Sequence, residues 1–284
     1  MSESDLKEAI LRVKELPTLP TVLGKILSTA ADPNASALDL GEHIAADQSL
    51  SSTILKLVNS AYYGFYRQIS SVTQAIVMLG FLEVRNLTLT ASAFQNMGKE
   101  SSGYDRSLLW RHSFGTAMAA ERLAKLLPKD IEGCFEAGLL HDFGKVALDM
   151  LCPETFREAV QLAHDEGKLL EEVLQEHHGT DHAELGGILA EHWNLPLTVV
   201  DAIRNQLQPE RAEEAPDLAH LTTLATYAAF KADLAEPTNG RALDLPEGSL
   251  KALGLSLEQF AGVVRELLDS HDEIDAFLGI IAEV

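Results

Sequence analysis

Positive charge is scarce in this sequence: 22 lysines and arginines stand against 43 aspartates and glutamates over 284 residues, a formal net charge of −21. Binding to a phosphate backbone draws its affinity from lysine and arginine neutralising the polyanion, and no basic run is present. Nucleic acid and anionic membrane surfaces are therefore not expected partners, although a local basic pocket for a small phosphate compound stays open. Cysteine is rarer still. Cys134 and Cys152 are too few for a disulfide framework or a zinc knuckle and read as reduced packing residues. No apolar run approaches the roughly 18 to 20 residues that cross a bilayer, and the start Met1-Ser-Glu-Ser-Asp5 lacks the basic and apolar blocks of a signal peptide. A cytoplasmic location is the expectation. Sustained period-two alternation is also missing, so no strand is expected and the fold class is all-α.

What is present is helical periodicity. Leu6, Ile10 and Val13 form one stripe, stopped by Leu16-Pro17-Thr18-Leu19-Pro20. A second helix is expected over about 21–31 and a third from the capping-box-like Ser36 and Asp39 to about Ala46. A fourth begins near Ser49, buries Leu50, Ile54, Leu57 and Val58, and closes on Asn59-Ser60, which read as a C-terminal cap. Tyr62 to Arg67 carries four aromatics in a loop, most of them expected to pack beneath it. Further helices are expected over 114–127, 154–166, 169–176 and 218–231. Ser256-Leu-Glu-Gln259 is a capping box opening a long final helix with Phe260, Val263, Leu267, Ile274, Phe277 and Ile281 on one stripe. That stripe covers the domain's own core or forms a dimer or partner-binding helix.

Chemistry is concentrated in Gly138-Leu-Leu-His141-Asp142-Phe-Gly144-Lys145. An imidazole and a carboxylate side by side suit a borderline or hard divalent metal, the glycine suits a tight turn, and the ammonium of Lys145 can neutralise a phosphate oxygen. The plain alternative is that His141 caps the helix running from about Glu132. His177 and His178 fall at an expected helix end, where histidine complements the macrodipole without a metal.

A series of ordered landmarks carries a family resemblance. Leu16-Pro-Thr-Leu-Pro20, Ile44-Ala-Ala-Asp47-Gln-Ser-Leu50, Leu57-Val-Asn-Ser-Ala-Tyr-Tyr-Gly64, Ile69 to Gly80 and Val84-Arg-Asn-Leu87 resemble successive motifs of the HDOD family, all-helical bacterial modules related to the HD phosphohydrolases. Asp47-Gln48 replaces the Asp-Pro usual there. The likeness spans about 16–208. It implies an HD-like helical bundle in two abutting halves: an N-terminal half over 1–108, an HD-like half over 109–208, and an extension over 209–284 packed on the latter.

The resemblance also implies a ligand set. His112, at the start of a helix, would be the first metal ligand, joined by His141 and Asp142, while His182 resembles the histidine that can ligate a second metal in the HD-GYP hydrolases. The pattern then departs. Asn205-Gln206 stands where paired histidines follow in those enzymes, no Gly-Tyr-Pro motif appears, and Thr226 takes the place of the closing aspartate. Neutral amides are poor transition-metal ligands, so a two-metal clamp is disfavoured.

The leading expectation is a signal-transduction or regulatory module acting through a protein partner or a small phosphate ligand, alone or within a larger signalling protein. Its rival is a metal-dependent phosphohydrolase acting on a nucleotide or cyclic dinucleotide, with iron, zinc or manganese on His112, His141, Asp142 and His182, and Lys145 steadying a phosphate.

Overall fold

The computed structural model describes residues 37–60, 63–96, 105–234 and 238–282, and among these every regular element is a helix. The stripe of Leu6, the expected helix over 21–31, the Ser36 cap and Tyr62 lie outside the described residues. Two compact units form: one holds 105–270, the other 37–96 together with 271–282.

The smaller unit is built from α1 (Ala37–Ala45), α2 (Gln48–Val58), α3 (Val72–Leu79) and α4 (Phe81–Asn96). Asp47 caps α2 by accepting from Leu50 N at 3.0 Å. Asn59 does more than close that helix. Its Nδ2 donates to Leu55 O and Ile69 O, each at 2.8 Å, and its Oδ1 accepts from Ile69 N at 2.7 Å, so one side chain ties the helix end to the loop before α3. The loop aromatics differ from expectation. Tyr63 and Phe65 stack half-buried with centroids 6.2 Å apart, but Tyr66 is fully exposed.

The larger unit contains α5 (Arg106–Ala124), α6 (Cys134–Leu140), α7 (Phe143–Leu151), α8 (Pro153–Glu166), α9 (Leu170–His178), α10 (His182–His192), α11 (Leu197–Asn205), α12 (Pro216–Lys231), α13 (Glu247–Leu253) and α14 (Leu257–Leu268). The long final helix expected from Ser256 is two helices. Ser256 and Gln259 form the capping box of α14, which stops at Leu268, and α15 (His271–Ala282) follows. Ser270 makes the break: its hydroxyl donates to Glu266 O at 2.7 Å and accepts from Arg122 Nη2 at 2.9 Å. Apolar spacing continues through the break because both helices bury a face, and periodicity alone cannot register where one helix stops and the next begins. The stripe is accordingly divided. Phe260, Val263 and Leu267 are buried in the larger unit, while Ile274, Phe277 and Ile281 are buried as α15 packs on α2 and α4 of the smaller one.

Close helix contacts hold α7 in the middle of the larger unit. Gly138 lets α6 approach α5, since a Cβ there would lie 2.8 Å from Ala117 Cα. Gly144 is expected in a turn, but it lies inside α7 with an ordinary helical φ, and its role is contact: a Cβ would overlap His182 O and lie 2.8 Å from Gly186 N. Phe143 is wedged edge-on between Trp110 and Trp193, with centroids 5.5 and 5.8 Å away. Arg106, at the first turn of α5, donates from Nε and Nη2 to buried Asp149 Oδ2 at 3.0 and 2.5 Å. These contacts fix the Asp142 end of α7 against α5 and α10.

Candidate metal centre and ligand pocket

His141 ends α6 and Asp142 sits at the N-cap of α7. At that position an aspartate side chain ordinarily accepts a backbone N–H of the first turn. Asp142 makes no such bond. Its carboxylate turns inward instead, with Oδ2 at 2.9 Å from Lys145 Nζ, 3.4 Å from His141 Nε2 and 3.7 Å from His112 Nε2, and Oδ1 at 3.3 Å from His182 Nε2. All five side chains are at least nine-tenths buried.

The two ring orientations are set from behind. His112 Nδ1 is 2.9 Å from Leu234 O, and His141 Nδ1 is 2.8 Å from Gly138 O. A carbonyl oxygen only accepts, so each Nδ1 carries the proton, and the tautomers follow from these partners. With Nδ1 so committed, a neutral His141 ring presents its lone pair at Nε2, and this nitrogen lies 3.2 Å from His112 Nε2. Burial holds the His141 imidazole down to about 4, so it is neutral near pH 7. Burial alone would raise the Asp142 carboxyl, but neighbouring His141, Lys145 and His182 outweigh it and hold it well below the usual carboxylate range.

Among the described residues, His112, His141 and Asp142 each offer one ligand atom, all within 4.8 Å of one another. Two imidazole nitrogens and a carboxylate oxygen, each imidazole anchored through its other nitrogen, form a donor set suited to one divalent ion such as iron, zinc or manganese. The structure brings all four sequence candidates together. One detail is corrected: His112 is not at the start of a helix but well inside α5, which begins at Arg106 because Asp105 caps it, accepting from Ser107 N at 2.9 Å.

A cavity of about 370 Å³ opens over these groups, and His112, Asp142, Lys145 and His182 line it. Thr226 lines it as well, but its hydroxyl donates back to Thr222 O at 2.9 Å, the ordinary bond of a helical threonine. Asn205 does not reach the cavity; its amide is bound to Asp201 O and Oδ1 at 2.9 and 2.8 Å. Gln206 Nε2 donates to His141 O at 2.6 Å and buttresses the backbone behind the His-Asp pair. Sequence reasoning missed the opposite wall. Asn239, Gly240, Arg241, Ala242 and Leu243 line the cavity, whereas Glu236-Pro-Thr-Asn-Gly240 reads from the sequence only as a loop, with no sign of which surface it crosses.

Comparison with known proteins follows the same geometry. A protein of Treponema pallidum (strain Nichols), itself uncharacterised, is 26% identical over 270 residues, and the chain spans about half the length of that curated relative while 93% of the chain is covered. Among solved structures, a protein from Marinobacter aquaeolei VT8 assigned to signal transduction superposes with a TM-score of 0.84 at 24% identity, covering 98% of this chain and 65% of its own. An HDOD domain protein of unknown function from Geobacter sulfurreducens superposes with a TM-score of 0.79 at 24% identity, covering 97% and 98%. The HDOD domain signature matches residues 16–209, which is more than half of the sequence, and the chain belongs to the HDOD family.

Proposed function

We propose that this HDOD chain is a regulatory signal-transduction module whose pocket holds one divalent metal and a small phosphate ligand, without two-metal phosphodiester hydrolysis. One observation carries the reading: His112 and His141, each anchored through Nδ1 to a carbonyl, bring their Nε2 atoms within 3.2 Å of each other beside Asp142 Oδ2. Packing alone does not need two anchored imidazole nitrogens and a carboxylate oxygen converging in one place, whereas a divalent ion would use all three. His112 Nε2, His141 Nε2 and Asp142 Oδ2 would hold the ion, and His182 Nε2, donating to Asp142 Oδ1, keeps the carboxylate turned toward them. When bound, such an ion supplies a Lewis acid for a phosphate oxygen.

A regulatory role fits what surrounds that set. Where the family resemblance expects paired histidines, Asn205 is bound to Asp201 and Gln206 Nε2 to the His141 carbonyl, and where it expects the closing aspartate, the Thr226 hydroxyl is bound to its own helix, which supports a reduced ligand set. The Marinobacter structure assigned to signal transduction has the same fold. The rival reading, a phosphohydrolase, is favoured by Lys145, a buried ammonium placed beside the would-be ligands and facing the cavity.

Elemental mass spectrometry of the chain after reconstitution with iron, zinc and manganese, paired with a screen of phosphomonoesters and diesters, tests the proposal. About one ion per chain, lost in His141→Ala, with no phosphate release, is expected. Absence of any bound metal refutes the pocket reading, and metal-dependent hydrolysis lost in His141→Ala would establish the rival.

A further inference from the structure

Two lysine or arginine side chains appear in the cavity wall, and they sit at different depths. Lys145 is the inner one, its side chain 5% exposed against Asp142; Arg241 is the outer one, 36% exposed. Arg241 belongs to the segment over 238–243, which is strapped onto the turn between α8 and α9. Gly240 N donates to Lys168 O at 2.8 Å, and Asn239 Oδ1 accepts from Leu170 N at 2.9 Å. The strap lies directly on the end of α8, since a Cβ at Gly240 would overlap Ala163 O and stand 2.9 Å from His164 Cα. The guanidinium is aimed by two carboxylates, Glu172 on α9 at 2.9 Å and Asp244 at 3.1 Å. Neither of these lines the cavity, whereas Arg241 does. Asp244 is 90% exposed and holds its partner only weakly. The remaining wall is mixed, with apolar Leu207, Phe230 and Leu243 and, besides Asp142, the acidic Glu171.

Resting on the pocket reading above, we infer that Arg241 is the second anion-receiving side chain of this pocket, and that the ligand carries a diphosphate or two phosphate groups rather than one. A first phosphate lies at the inner end, with Lys145 and the His-Asp cluster; a second meets the planar fork of Arg241, which matches phosphate oxygens two at a time. Glu172 keeps the fork oriented, and Asp244 is the contact the ligand replaces. The apolar part of the wall suits the non-phosphate part of such a compound.

Isothermal titration of the metal-reconstituted full chain with inorganic phosphate and with inorganic pyrophosphate decides the matter. Wild type is expected to bind pyrophosphate at least tenfold more tightly than phosphate. Arg241→Gln should lose that preference while phosphate affinity, metal content and Tm stay as in wild type, and Arg241→Lys should restore only part of it. Glu172→Gln, which loosens the strap but keeps the arginine, should retain the preference. Equal binding of the two anions by wild type overturns the inference, as does a preference that survives in Arg241→Gln. If Arg241→Gln instead loses metal and stability, and Glu172→Gln does the same, Arg241 is a structural staple and the inference falls. A chain that binds metal but not pyrophosphate sinks only this inference, whereas a chain without metal sinks the pocket reading with it.

Discussion

Replacing Gly144 by alanine tests whether α7 is held where the metal-centre geometry requires. The added methyl overlaps His182 O and lies 2.8 Å from both Gly186 N and the His182 carbonyl carbon, where ordinary contact begins at 3.4 Å. These are backbone atoms, so no rotamer change relieves the clash; α7 and α10 must separate by roughly half an ångström or more. Overpacking of this kind costs about 1 to 3 kcal/mol, and a rigid backbone neighbour points to the upper end. Against that stands the gain from glycine to alanine inside a helix, about 1 kcal/mol at most. A net loss of about 2 kcal/mol lowers Tm by roughly 4 to 8 °C for a unit of this size. Gly262→Ala is the control, since it sits within α14 with only Arg265 Nη2 near, at 4.0 Å, and should gain about 0.5 to 1 kcal/mol. Thermal unfolding followed by circular dichroism reads both variants. The reasoning fails if Gly144→Ala melts at or above the wild-type temperature.

The buried Arg106–Asp149 pair makes a second case: Asp149→Asn replaces the carboxylate oxygen that accepts from Nε and Nη2 by a neutral amide and should cost about 1 to 3 kcal/mol in urea unfolding, while an unchanged midpoint would deny the pair a part in holding α7 to α5. Gln206→Leu removes the donor to the buried His141 carbonyl, and a loss of about 1 to 3 kcal/mol, together with weaker metal retention on dialysis, is expected; unchanged retention would deny Gln206 its buttressing role. The metal-free chain should also be acid-sensitive. The His141 imidazole protonates near 6.5 when unfolded but only near 4 when folded, so between these values the unfolded state binds more protons. This contribution, on the order of 3 kcal/mol, is complete above about pH 6.5 and disappears as pH falls toward 4. In His141→Gln, which keeps a polar side chain at that place, urea midpoints measured across that range should fall less steeply than in wild type.

What was legible in the sequence follows how local each signal is. His141, Asp142 and Lys145 stand within one helical turn of each other, and their grouping needs no knowledge of packing. His112 and His182 came from family resemblance alone; a lone histidine on a helix does not announce which neighbour it will meet. The role of Gly144 differs from its sequence reading for a related reason. Gly144 looks like turn chemistry, and only the backbone of α10 pressed against it shows that the missing Cβ serves contact. The strap over 238–243 is not legible because its bonds, Gly240 N to Lys168 O and Leu170 N to Asn239 Oδ1, use backbone groups about 70 residues away, which carry no sequence signal. The break at Ser270 was hidden because both α14 and α15 bury apolar faces at helical spacing.

Asp142 sets the electrostatics of the cluster. A carboxylate whose side chain is only 3% exposed is costly unless its oxygens are compensated, and here Oδ1 faces His182 while Oδ2 faces Lys145 and the two imidazoles. Oδ2 is also the oxygen that points at the gap between the two Nε2 atoms. On the proposed reading, a metal there would share that oxygen with the ammonium of Lys145, which also lines the cavity, so an anion in the cavity would lie beside both positive charges. On the same reading, metal and a phosphate ligand would be linked through Asp142 Oδ2, each favouring the other with the same free energy in both directions.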